Sequence, residues 1–128
     1  ATRDLAVALS ARFYPAFREF ILVFPLDSRA KVLGWFVAAI GNVSRVAFTP
    51  LDVFRVLVPM PTEAYILVHN HPSGESTPSR ADHDLTERIQ EGGEVLGLQL
   101  VDHIVIGAVG SYYSMAEMGD LNPSLVRR

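Results

Sequence analysis

The run Tyr65-Ile66-Leu67-Val68 stops abruptly at His69-Asn70-His71-Pro72, and residues 72–78, with Gly74 and two prolines, cannot continue any regular element. The chain then restarts at Ser79-Arg80-Ala81-Asp82. Ser-x-x-Asp is a helix-start signal, and Leu85, Ile89 and Val95 are the expected inward face of the helix that follows. A buried strand, a polar loop and a capped helix in that order are parts of a layered α/β domain.

The flanking segments agree. Residues 4–17 carry Leu5, Ala8, Leu9, Phe13 and Phe17 at three- and four-residue steps, which predicts a helix that Pro15 ends or kinks. Residues 19–27 (EFILVFPLD) read as a buried strand in which Pro25 calls for an edge or a bulge. A turn over 28–31 leads to a second strand over 32–40, so the pair forms a hairpin. Thr49-Pro50-Leu51-Asp52 starts a helix, with Thr49 as cap and Pro50 in the first turn. Residues 99–106 and 111–115 supply a fourth and a fifth strand on either side of Gly110. The strand over 99–106 and the Pro25-containing strand are the two candidates for an edge on which an extended peptide could add, with the choice between them left open. No repeat or low-complexity tract divides the chain, so the expectation is one α/β domain over 1–128, a mixed β-sheet with helices packed against it.

Composition removes several classes of chemistry. There is no cysteine, which excludes disulfides, thiolate metal sites and cysteine nucleophiles. The longest apolar runs, over 20–26 and 32–40, fall far short of the roughly 20 residues that cross a bilayer. No membrane association is expected, and the cytoplasm is the expected location. A net charge of -3 argues against a surface built to hold nucleic-acid backbone.

The chemistry gathers at the third strand. Side chains two apart on a strand share a face, so His69 and His71 point together and Asn70 points away. Two imidazoles can share a metal ion but need a third ligand. Asp82, in the first turn of the next helix, can supply it. Ser79 and Asp82 also form a capping pair, and the two duties are compatible if Ser79 still starts the helix. Three protein ligands leave one position for water, the mark of a catalytic site. Hydrolysis then needs a carboxylate to move the water's proton. Glu19, at the start of the first strand, is the candidate, although position alone favours reading it as a solvated glutamate at a strand boundary.

Taken together, His69-Asn70-His71-Pro72-Ser73-Gly74, Pro78-Ser79-Arg80-Ala81-Asp82, Thr86, Gly97 and Asp102-His103 resemble the RadC-type branch of the JAMM (MPN+) metalloprotease domains. The resemblance runs from Arg18-Glu19 to the region of Ser114 and Gly119. It implies a JAB/MPN-like, three-layer α-β-α domain of cytidine-deaminase-like architecture. It further implies Zn2+ held by His69, His71 and Asp82, with Glu19 as acid/base and Ser79 helping to hold the oxyanion. The implied reaction is attack of water on a peptide or isopeptide carbonyl of a peptide or protein substrate. Asp102 and His103 fit the family pattern too. Such a carboxylate could orient a ligand histidine, or the pair could simply be satisfied inside a strand.

The chain departs from the family where Gly41-Asn42 replaces Gly-Thr and Thr49-Pro50-Leu51-Asp52 replaces His-Pro-Arg-Glu, which bears on substrate contacts and not on the ligands. Two other functions stand beside the hydrolase. One is a catalytically silent JAB-fold module that binds protein. The other is a DNA-repair role, which the family's name suggests and the acidic charge does not favour.

Overall fold

The computed structural model describes residues 2–42 and 48–125. Helix α1 spans Thr2–Phe13 and stops short of Pro15, whose ring fixes φ and which has no N–H to donate. Phe17, placed on this helix by its spacing, lies beyond the helix and is 97% exposed.

Strand β1 (Arg18–Leu26) pairs antiparallel with β2 (Phe36–Asn42) on one side and β3 (Ala64–Asn70) on the other. The hairpin is present, but its second strand begins at Phe36 and not at 32. Val32 makes only an isolated bridge to Leu26. Ala30 (φ 61°) and Gly34 (φ 149°) take backbone conformations that an extended ladder does not accommodate. After β3 comes helix α3 (Arg80–Leu96), which carries the chain over to β4 (Gln99–Ile106), parallel to β3. Strand β5 (Tyr112–Ser114) closes the sheet, whose order is β2-β1-β3-β4-β5.

This order corrects two expectations. Both β1 and β4 are interior strands, so neither is the open edge foreseen for it. Pro25 needs no edge, because its carbonyl, and therefore the ring nitrogen on the same side, faces Leu33 beyond the end of the β2 ladder. There the missing donor removes no ladder bond.

The two faces of the sheet bury separate cores. Helix α1 lays Ala6 on a face made by Leu22, Phe24, Val68, Ile104 and Ile106. On the other face α3 and helix α2 (Pro50–Leu57) cover Ile21, Val23, Tyr65, Leu67 and Leu100, with Val53, Phe54, Leu57 and Ile89 filling the layer. The result is the three-layer α/β arrangement expected. The inward face of α3 is Asp82, Thr86, Ile89, Gln90 and Gly93. Val95, expected inside, is 86% exposed because it falls off this Asp82–Thr86–Ile89–Gly93 stripe. Among the described residues no helix is long and apolar enough to cross a membrane.

Candidate metal centre

Strand register builds half of the site. Ile21 of β1 stands opposite His69 of β3. Glu19 precedes Ile21 by one alternation, so it shares the face that carries His69. The two groups approach to 3.8 Å, Glu19 Oε1 to His69 Nε2. His71 lies just past the end of β3, where its N–H still donates to the Ile106 carbonyl at 2.8 Å. Edge-on ring contact between the two imidazoles, at 5.1 Å between centroids, puts them in one cluster. Phe48 closes one side by packing edge-on against His69 at 5.5 Å.

Helix α3 supplies the other half. Ser79 is its N-cap: Oγ accepts from the Asp82 N–H at 3.1 Å, while the Ser79 N–H donates to Asp82 Oδ2 at 2.8 Å. The reciprocal pair fixes the Asp82 carboxylate, which then meets both histidines. Oδ1 lies 3.3 Å from His69 Nδ1, and Oδ2 lies 3.0 Å from His71 Nε2. Capping and contact with the histidines are therefore simultaneous.

The loop between strand and helix is pinned at several points. The Gly74 N–H donates to the His71 carbonyl at 3.0 Å, and the Ala108 N–H donates to the Gly74 carbonyl at 2.9 Å. The His71 ring is oriented by its Nδ1, 2.8 Å from the Glu75 carbonyl. A carbonyl there selects Nδ1–H and turns Nε2 toward Asp82.

Asn70 takes the opposite direction, as strand alternation requires. Its Oδ1 accepts from the Phe20 N–H at 2.7 Å, and its Nδ2 donates to the Arg18 carbonyl at 3.0 Å. The sequence reading missed this role. A polar side chain due to be buried in an apolar strand needs hydrogen-bond partners, and that requirement was the available signal.

Electrostatics follow from this crowding. Burial raises the Glu19 carboxyl above its ordinary value, against the opposing pull of His69 and His71. Burial also works against the Asp82 charge, but the close imidazoles of His69 and His71 and the bond from the Ser79 N–H outweigh it and hold this carboxyl far below the usual range. The His71 pKa is raised, chiefly by its bond to Asp82. The His69 ring is buried, and neither of its nitrogens has a hydrogen-bond partner among the described residues. Buried orphan imidazole nitrogens are costly unless something binds them. Glu19, His69 and His71 each offer a donor atom within 4.8 Å of the others, a group able to hold a metal ion. Two imidazoles with carboxylates, and no sulfur, suit a divalent cation such as zinc.

A family model described as a RadC-like JAB domain matches residues 2–120. The chain belongs to this family. The RadC-like JAB domain here is 41% identical over 104 residues to a UPF0758 protein of Thermotoga maritima, a match that covers 81% of this chain and 46% of the relative. UPF0758 proteins of Trichlorobacter lovleyi (38% identity; 80% of this chain, 44% of the relative) and Aquifex aeolicus (39%; 81% and 45%) are similar in the same way. The chain thus spans less than half the length of these relatives.

Behind the Glu19, His69, His71 and Asp82 cluster of this RadC-like JAB domain, only one member of the Asp102-His103 pair faces the site. The His103 ring stacks on His69 at 6.2 Å. Asp102, its neighbour on the strand, points away and accepts from Ser114 Oγ and the Ala116 N–H. Among the described residues its carboxylate is satisfied by these bonds and makes none to His69 or His71. His83 is half-buried beside Thr86, Glu87 and Gln90.

Proposed function

We propose that this domain is a zinc-dependent hydrolase of the metallopeptidase or isopeptidase type, acting on a peptide or protein substrate. The observation that carries the proposal is the convergence of Glu19, His69 and His71 with Asp82 against both imidazoles. In this reading His69, His71 and Asp82 hold the metal. Zinc held there would supply a Lewis acid and would lower the pKa of a water to roughly 7. Glu19 takes the water's proton and returns it to the leaving nitrogen. Its raised pKa suits a group that must hold a proton between those steps. The Ser79 hydroxyl accepts from the Asp82 N–H and so keeps its own proton to donate toward a developing oxyanion.

A second reading, a silent protein-binding module, draws support from the Thr49–Asp52 segment. There the Thr49 N–H donates to Asp52 Oδ2 at 2.9 Å, so this departure from the family pattern builds a helix start and nothing catalytic. Elemental mass spectrometry of the purified protein beside His71→Ala separates the two. Near-stoichiometric zinc that disappears in the variant supports the hydrolase. Absence of zinc from both proteins after reconstitution would sink it and leave the binding module.

A further inference from the structure

We infer that Thr86 and His103 form a strut that sets the spacing between the two sides of the metal site, and that they are positioning residues rather than filling for the core. The inference rests on the metal-site reading above.

The geometry begins with one proton. The Thr86 hydroxyl donates to the Asp82 carbonyl at 2.8 Å and lies 2.6 Å from His103 Nδ1. A hydroxyl has a single proton, so with that proton on the carbonyl it is the Nδ1–H of His103 that donates to Thr86 Oγ1. The strut therefore runs from the Asp82 backbone, through Thr86 one turn further along α3, to His103 on β4. His103 pairs in register with Leu67, and its ring stacks on His69 at 6.2 Å with 27° between the planes. Asp82 on the helix and His69 on the strand are thus joined through two buried side chains as well as facing each other across the site.

Packing alone does not explain the choice of residues. Thr86 is 3% exposed and His103 is 0% exposed. Valine and leucine would fill much of the same space without polar atoms to satisfy. His103 instead leaves Nε2 with no partner among the described residues. A polar pair kept in such a place is costly unless its directionality is used. Apolar contacts between helix and sheet tolerate small slides, whereas a hydrogen bond fixes distance and angle. At a metal centre the bite between Asp82 and His69 is the quantity that benefits.

Thr86→Val removes the hydroxyl at nearly constant volume, and Thr86→Ser keeps it. Zinc affinity is measured on the full chain by competition with a chromogenic chelator. The visible spectrum of the cobalt(II)-substituted protein reads coordination geometry, and thermal unfolding of the metal-free protein reads the fold. Wild type binds both metals; Thr86→Val loses roughly 10–100-fold in zinc affinity with a changed cobalt spectrum, and Thr86→Ser restores both. Unchanged affinity and spectrum in a folded Thr86→Val overturn the strut. If Thr86→Val does not fold, His103→Leu carries the same test from the other end. Failure of the wild type to bind either metal overturns the metal-site reading itself, and the inference with it.

Discussion

Asn70 brackets Glu19: its side chain bonds the Arg18 carbonyl and the Phe20 N–H, the backbone groups on either side of that glutamate. The β1–β3 ladder proper ends at Ile21 and His69, so beyond that point the Asn70 amide takes the place of a strand partner. Asn70→Ala frees the segment that carries Glu19. We expect hydrolysis to fall roughly 100-fold, the cost of misplacing a reacting group by about 1 Å, while zinc stays bound. Unfolding in denaturant should show a loss of about 1–3 kcal/mol from the unpaired backbone groups. Retained activity in Asn70→Ala would remove this positioning role.

Glu19→Gln separates two duties that the geometry allows the carboxylate. As a proton carrier, Glu19 can be replaced with little change in zinc content but a loss of about 100- to 10000-fold in turnover. As a metal ligand, it cannot be replaced without losing metal. Zinc analysis and a peptide-cleavage assay on the same sample decide between them, and normal hydrolysis by the variant excludes both.

Asp82 is expected to show its two roles separately. Asp82→Ala removes the acceptor for the Ser79 N–H and costs about 1 kcal/mol of stability as a lost cap. Asp82→Asn keeps an acceptor oxygen and most of that stability. Both variants should lose more zinc affinity than the roughly 10–100-fold that outer contacts command. Wild-type affinity in Asp82→Asn would return the residue to capping alone.

Gly107→Ala tests how the loop is held. A Cβ at Gly107 would stand 2.2 Å from the Gly74 carbonyl oxygen, a backbone atom that can yield only if the loop moves. The expected outcome is a loss of about 1–3 kcal/mol together with weakened zinc binding, because Gly74 is tied to the His71 carbonyl. Calorimetry with a zinc titration reads both, and weakened stability with intact zinc binding would detach the loop from the site.

Asp102 gives the fold an acid-range signature. Burial raises its carboxyl pKa despite the bonds from Ser114 and Ala116. A carboxyl with a raised folded pKa contributes stability below its unfolded value, and that contribution is lost as pH rises through the folded value. Asp102→Asn does not ionise. Its melting temperature relative to wild type should therefore climb as pH rises from about 4 through the folded pKa and level off above it. A difference that is flat with pH would mean that Asp102 ionises in the fold as easily as in the unfolded chain.

The parts of this architecture that follow local rules were legible in the sequence. Alternation along β3 put His69 and His71 together, and Ser-x-x-Asp located the start of α3 at Ser79. The errors lie where distant partners decide. Phe20 and Asn70 are 50 residues apart, so no periodicity could announce their bond. Pro25 looked like an edge residue because a one-dimensional reading does not show which side of β1 has run out of partner. Val95 has the right chemistry for a core, but the stripe set by Asp82, Thr86 and Ile89 leaves it outside. The residues alone left Asp82 divided between cap and ligand; its carboxylate caps the helix and also meets both histidines.

That shared carboxylate constrains how such a domain can drift. In most proteins a metal site can be dismantled by neutral steps while the scaffold persists, because ligands and scaffold are different residues. Here the oxygen that meets His71 is also the one that starts the helix behind the site. A lineage discarding the proposed metal would be held back by the helix, unless it passed through a residue such as asparagine that can cap without a charge. The same position would then record the loss of chemistry in a chain whose fold had barely changed.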